Sequence, residues 1–132
     1  MRSWIAGLFM GGLLAAGVAH ADTRATQQKN LEKYTPYLQA PVDDFTFWSL
    51  YKWQLVGPEK VVVWSTLKNA YLLTVEKPCT QLEWANGIGL TSVQSHQVTR
   101  RLDSVTAGDN SCRITKIQPI DLARMNKDAA GE

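Results

Sequence analysis

His96, Asp103 and the serines Ser92, Ser95 and Ser104 are the side chains of this chain best suited by type and spacing to do chemistry. A histidine can take the proton of a serine while a carboxylate orients the ring, and the outcome would be a small hydrolase or lyase. The strand-to-helix elbow Gly-x-Ser-x-Gly, which lifts a nucleophilic serine into reach, surrounds none of these serines. His96 sits in the polar stretch Ser92–Gln97, which reads as a solvated loop tip. Asp103, between Leu102 and Val105, has apolar neighbours that would raise a carboxyl pKa. A buried carboxylate also holds turns by accepting backbone N–H groups, and that structural role is the one favoured. Asp43 and Asp44 are adjacent, so on a strand they face opposite ways and cannot cooperate.

Other chemistries fall away on counting. His20 belongs to the segment read below as a leader, which leaves one histidine, His96, beside two cysteines. A zinc site needs three or four ligands, and neither His-Glu-x-x-His nor paired Cys-x-x-Cys occurs. Gly87-Ile-Gly89 is too short to cradle phosphate, so no cofactor and no metal is expected. Enzyme activity is left open, with the balance against it.

The aromatic residues carry the alternative. Trp48, Trp53, Trp64 and Trp84 join Tyr34, Tyr37, Tyr51 and Tyr71, a high density for a small domain. Such rings build a core, a face for sugar, peptidoglycan or peptide, or the anchor of a protein interface. Trp64 and Tyr71 lie in regular β-prone runs and read as core. Trp48, Tyr51 and Trp53 fall in a less regular segment beside Lys52, where ring surface can stay exposed, and they are the candidate binding residues.

Met1 to Ala21 reads as a secretory signal peptide: Arg2 is the positive n-region, Ile5–Val18 the apolar core, and Ala19-His20-Ala21 a small-x-small cleavage site. The run is too short to be a convincing span, and no lipid-accepting cysteine follows it. The expected product is a periplasmic or secreted chain of about 111 residues, the 132 of the sequence less 21, without a membrane anchor. Loss of Arg2 leaves 13 Lys and Arg against 12 Asp and Glu. That near-neutral balance gives no electrostatic reason to expect nucleic acid. Cys79 and Cys112 form an even pair in an exported protein, and lying 33 positions apart they do not suit a Cys-x-x-Cys redox motif. A structural disulfide is the reading, and it removes a thiol nucleophile.

The elements that must position these residues are mostly strands. Asp43–Leu50 and Lys52–Val56 read as strands, the second closed by Gly57-Pro58. Val61–Thr66 and Ala70–Val75 form the clearest hairpin, linked by Leu67-Lys68-Asn69 with Asn69 as its left-handed residue. Tyr71, Leu73 and Val75 share one face of the second strand. Pro78–Ala85 reads as a helical turn, Ile88–Ser92 as a short strand, and Gln97–Val105 as another with an interruption. Gly108-Asp109-Asn110 is a turn and Cys112–Ile117 the last strand, before a short helix from Ile120 to Met125. Ile114, Ile117 and Ile120 lie three apart, which demands either a bulge or an early end to that strand. The fold class is mainly β: a small antiparallel sheet or partly open barrel of about six strands, with short peripheral helices and one disulfide. Residues 22–40 are a polar lead-in, helical or loose, 41–125 a single domain, and 126–132 a mobile tail.

Several segments in order resemble a family of small bacterial envelope proteins catalogued as domain of unknown function 6491. They are Ala40-Pro-Val-Asp-Asp-Phe45, Trp53, Val62-Val-Trp-Ser-Thr66, Ala70-Tyr-Leu-Leu73, Cys79-x-x-Leu82-x-x-Ala85, Ile88-Gly-Leu-Thr-Ser92, Leu102-Asp-Ser-Val105 and Cys112-Arg-Ile-x-x-Ile117-x-Pro119. The resemblance supports the β-rich domain and the disulfide and implies no activity, cofactor or catalytic residue. The expectation is therefore a non-catalytic exported domain that binds an envelope protein or cell-wall component through Trp48, Tyr51 and Trp53. The alternatives are the Asp103/His96 hydrolase or lyase, and an oligonucleotide-binding barrel that uses aromatics with Arg100-Arg101.

Overall fold

A computed structural model describes residues 18–131. The signal-peptide assignment lies outside the described residues except for Val18–Ala21, which open a helix. Among the described residues two helices and eight strands run in the order α1 (Val18–Tyr34), β1 (Asp44–Thr46), β2 (Lys52–Gly57), β3 (Lys60–Thr66), β4 (Asn69–Val75), β5 (Gly89–Leu90), β6 (Gln97–Thr99), β7 (Ser104–Ala107), β8 (Asn110–Ile120) and α2 (Leu122–Ala130). Short 3-10 turns occupy Thr35–Tyr37 and Leu82–Trp84.

Six strands form one antiparallel sheet in the order β2-β3-β4-β8-β7-β5, curled into a half-barrel, and β1 pairs with β6 in a separate two-stranded ribbon. The protein is thus mainly β, with short helices at its periphery. Burial explains why β3 and β4 are its centre. Val61, Val62, Val63 and Trp64 are all buried, so β3 is covered on both faces, and β-branched residues suit that position. On one face Val61, Val63, Leu73, Val75, Ile114 and Ile117 pack with Phe45 and Val98, which face each other across the β1–β6 ribbon. On the other face Val56, Val62, Trp64, Ala70, Leu72 and Ile120 pack under Tyr34 and Leu31 of α1 and Leu122 and Met125 of α2. Each fully buried aliphatic side chain stabilises the fold by about 1.5–3 kcal/mol.

Several elements differ from expectation for identifiable reasons. The hairpin between β3 and β4 turns on two residues, Leu67 and Lys68, because Asn69 pairs with Thr66 and opens β4. Asn69 is not left-handed; its side chain instead donates to Thr66 Oγ1 at 2.9 Å, and the Lys68 N–H donates to the same oxygen. The β1 strand stops at Thr46, so Trp48 lies outside regular structure. The run Gln97–Val105 is cut by a turn at Arg100–Asp103 into β6 and β7, which join different sheets. The isoleucine spacing in β8 is resolved by a bulge: Thr74 pairs with Lys116 and Val75 with Ile114, leaving Thr115 extra. Ile114 and Ile117 then reach the same core, while Ile120 alternates to the opposite one.

The β8 strand also continues through Pro119, beyond the expected end. The Pro119 carbonyl accepts from Gln39 N–H at 2.8 Å, on the edge away from β4. Its absent N–H points to that same edge, so the β4 ladder loses nothing. The polar lead-in is helical from its start to Tyr34, and the segment from Asn126, expected as a mobile tail, continues α2 to Ala130. Asp121 caps α2 by accepting from Arg124 N–H at 3.1 Å. The disulfide Cys79–Cys112 ties the chain leaving β4 to β8 across 33 positions.

Candidate functional site

Asp103 is completely buried. One carboxylate oxygen accepts from the Thr91 hydroxyl at 2.8 Å and Val93 N–H at 2.9 Å, and the other from Thr99 N–H at 2.7 Å. Thr91 Oγ1 in turn accepts from Ser104 N–H at 2.8 Å, and the Asp103 carbonyl accepts from Ile114 N–H. Arg101 enters the turn with φ 71°, and its N–H bonds the Ile114 carbonyl at 2.7 Å. A short acid here ties its own turn to the loop after β5 and to the end of β6, and its oxygens are spent on backbone and threonine.

His96 is not among these partners. It takes a left-handed conformation, φ 59°, at the turn before β6, and its ring lies on Trp48 with centroids 3.6 Å apart and planes 23° apart. The Ser92 hydroxyl meanwhile shares its one proton between the Gln94 and Gln97 carbonyls and accepts from Gln97 N–H. The hydrogen bonds that order this loop therefore hold the serine and the carboxylate in separate local networks, with the histidine in neither. Among the described residues no group of three or more His, Cys, Asp and Glu is placed to hold a metal ion.

The Trp48–His96 stack opens the more promising region. The Phe47 N–H donates to the His96 carbonyl at 2.8 Å, which fixes the chain on either side of the pair. Trp48 is 72% exposed, because one face of its ring is backed by His96 and the rest meets solvent. It forms one wall of a cavity of about 540 Å³ lined by Thr46, Ser49, Ser65, Thr66, Asn69 and Tyr71. Tyr71 forms another wall and is likewise backed, by Phe45 at 4.1 Å with planes 16° apart. Burial raises the Tyr71 hydroxyl above the ordinary tyrosine range, and a hydrogen bond with Ser65 draws it partly back. A second open cavity of about 470 Å³ continues past Tyr71, Thr46 and Asn69 toward Asp44, Gln39 and Pro119. No Lys or Arg lines either cavity among the described residues, and Asp44 is the one ionic group.

The three expected aromatic residues take different positions. Trp48 lines the cavity. Tyr51 is 58% exposed just before β2 but stands outside the lining, its N–H donating to the Trp64 carbonyl at 2.8 Å. Trp53 is half-buried against the core and pairs with Val63 across the β2–β3 ladder. Trp64, read as core, is buried edge-on to Tyr34 with Lys52 Nζ 4.4 Å over its ring. Arg100 pairs with Asp43 at 2.9 Å, so the local basic pair contributes only Arg101 as an unpaired cation among the described residues. As cavity residues Tyr71, read as core, Asn69, read as a turn residue, and Ser65 and Ser49 escaped the sequence reading. The signal for Tyr71 was there: it shares the face of Leu73 and Val75 but lies in the first half of its strand, and it is only half-buried.

The chain belongs to the family of unknown function DUF6491, whose profile matches residues 1–130. No curated protein and no solved structure matches it. Among the described residues no helix is long and apolar enough to cross a membrane.

Proposed function

We propose that this member of a family of unknown function is an exported, non-catalytic domain that binds another component of the bacterial envelope at the aromatic wall centred on Trp48. The carrying observation is Trp48 itself: a large ring, 72% exposed, held in one orientation by His96 at the mouth of a cavity. Leaving such a ring in water forgoes the burial that most tryptophans obtain, and a partner that covers it recovers that free energy. Tyr51 lies close by in sequence and is exposed outside the cavity lining, while Trp53 packs against the core.

Export is supported by the leader pattern of Met1–Ala21 and by the disulfide, a bond that persists in oxidising compartments. The periplasm is the compartment that fits both. The hydrolytic reading has less support, because Asp103 spends its oxygens on Thr91, Val93 and Thr99. Nucleic acid has less still, since the cavities carry no basic residue among the described ones.

In-cell crosslinking of the tagged chain, followed by mass spectrometry of what is captured, tests the reading. The expected result is a reproducible envelope component that is captured by the wild type and lost in Trp48→Ala. Equal capture by both proteins sinks the assignment to this wall.

A further inference from the structure

We infer that the cavity between Trp48 and Tyr71 takes an uncharged oligosaccharide, an inference that rests on the reading of Trp48 as a binding wall and names its ligand. Three features point to this chemistry. The first is a pair of aromatic rings, each with one face backed by another ring, Trp48 by His96 and Tyr71 by Phe45. The flat face of a pyranose presents C–H groups with partial positive charge, and these pack against the electron-rich face of an aromatic ring. Backing rings fix the orientation of such a platform before the ligand arrives, which lowers the ordering cost of binding.

The second feature is the hydrogen-bonding complement between the rings. Thr46 and Ser49 are exposed, and their hydroxyls make no hydrogen bond to the fold among the described residues. A hydroxyl both donates and accepts, as does each sugar hydroxyl, so the two match in either sense. Asn69 gives its side-chain N–H to Thr66 and keeps its carbonyl oxygen as an acceptor. The third feature is charge. With no Lys or Arg in the lining among the described residues and Asp44 at the far end, a phosphorylated, sulfated or uronic polymer would meet a carboxylate and no counter-charge. A neutral glycan meets neither penalty.

Chitotetraose, cellotetraose and maltotetraose, titrated separately into the folded chain with heparin as the anionic comparison, test this by tryptophan fluorescence and amide chemical shifts. At least one neutral tetrasaccharide should bind saturably, with Kd of about 1 mM or tighter. That affinity should not change between about 50 and 500 mM NaCl, because no charge pairing contributes. Trp48→Ala should weaken it by about tenfold or more, and Trp48→Phe, which keeps a smaller ring, by less. Far-UV circular dichroism of both variants checks that the fold survives. The inference is overturned if no neutral sugar saturates by about 10 mM, if Trp48→Ala binds as the wild type does, or if heparin binds more tightly with strong salt dependence. Trp48-dependent crosslinking to a protein alone, without sugar binding, overturns the glycan and leaves the binding-domain reading intact. Failure of both experiments removes both.

Discussion

Asp103 is wholly buried and both of its carboxylate oxygens accept from the chain around it, whereas Trp48, across the ribbon that β6 forms with β1, is 72% exposed beside Thr46 and Ser49, whose hydroxyls bond nothing among the described residues. Both regions mix short polar side chains with one conspicuous residue, and from composition alone either could be a site. The difference is where the hydrogen-bonding capacity goes. Around Asp103 both carboxylate oxygens are matched locally, with the Thr91 hydroxyl and the Val93 and Thr99 N–H groups as donors, and only the buried Thr99 hydroxyl is left without a partner among the described residues. A ligand could reach the carboxylate only by breaking those bonds. Around Trp48 the rings are ordered from behind. Ser65 and Thr66 bond within the fold, but the hydroxyls of Thr46 and Ser49 are exposed and bond nothing among the described residues, so a ligand that meets those two adds contacts without removing any. A buried, satisfied carboxylate is a structural device even when a histidine and serines lie near it in sequence.

Asp103→Ala should break this contrast most severely if it is wrong. The change removes the acceptor of three part-buried donors and leaves a cavity where a wholly buried side chain stood, and the expected loss is about 3 kcal/mol of stability, read by urea denaturation. Asp103→Asn should recover part of it, since one amide oxygen can still accept. Folded Asp103→Asn should retain whatever binding the Trp48 wall supports. Loss of function without loss of stability would instead place Asp103 in a working site. The disulfide belongs to the same structural half. Cys79→Ala with Cys112→Ala should cost about 3–4 kcal/mol, the value the chain-entropy treatment gives for a loop of about 34 residues, again measured in urea. Binding by the fraction that stays folded should be unaltered.

How much of this was legible follows from how local each determinant is. The β3–β4 hairpin could be read because Val61–Thr66 and Ala70–Val75 are β-prone by themselves and their turn is short. The disulfide could be read because two cysteines allow a single pairing. The β1–β6 ribbon could not: Phe45 pairs with Val98 from 53 positions away, and neither short segment carries a pattern that names its partner. That pairing is what sets His96 beneath Trp48, so the candidate wall was half legible. Trp48 stood out as an aromatic in an irregular segment, but its backing ring read as a solvated loop histidine. Trp53, two residues beyond Tyr51, looked equivalent to it; the register that turns it toward Val63 depends on the β2–β3 pairing. The end of β8 was misread at Pro119 because proline disrupts only the edge its nitrogen faces, and which edge that is depends on Gln39.

Two tyrosines with the same direction of shift sharpen the comparison. Burial raises both Tyr34 and Tyr71 above the ordinary tyrosine value. In each case the fold favours the neutral phenol. The stabilisation is therefore complete below the unfolded value of about 10 and is lost as pH climbs through the raised folded value. Tyr34 lies on the far face, buried against Trp64, with its hydroxyl donating to Gln54. Tyr34→Phe should cost about 1 kcal/mol at neutral pH and flatten the alkaline fall of the melting temperature. Tyr71→Phe should also flatten it, and should additionally weaken ligand binding, because its hydroxyl edges the cavity with Ser65. A matched loss of binding in Tyr34→Phe would mean that the two faces are not independent.

The smallest expected effect on stability is the most discriminating. Trp48→Ala removes a ring that is mostly in water already, and its loss forfeits only the stack on His96. Exposed substitutions of this kind stay within about 0.5 kcal/mol, so the urea midpoint should barely move. His96 at φ 59° is held by its backbone bond to Phe47 and by the turn, not by the ring above it, so the β1–β6 ribbon should persist. A large loss of stability would mean that Trp48 supports the ribbon from outside, and the exposed ring would then need no partner to explain it. An unchanged midpoint together with lost capture separates the two halves of the molecule: one keeps its polar groups for folding, and the other leaves them for a ligand.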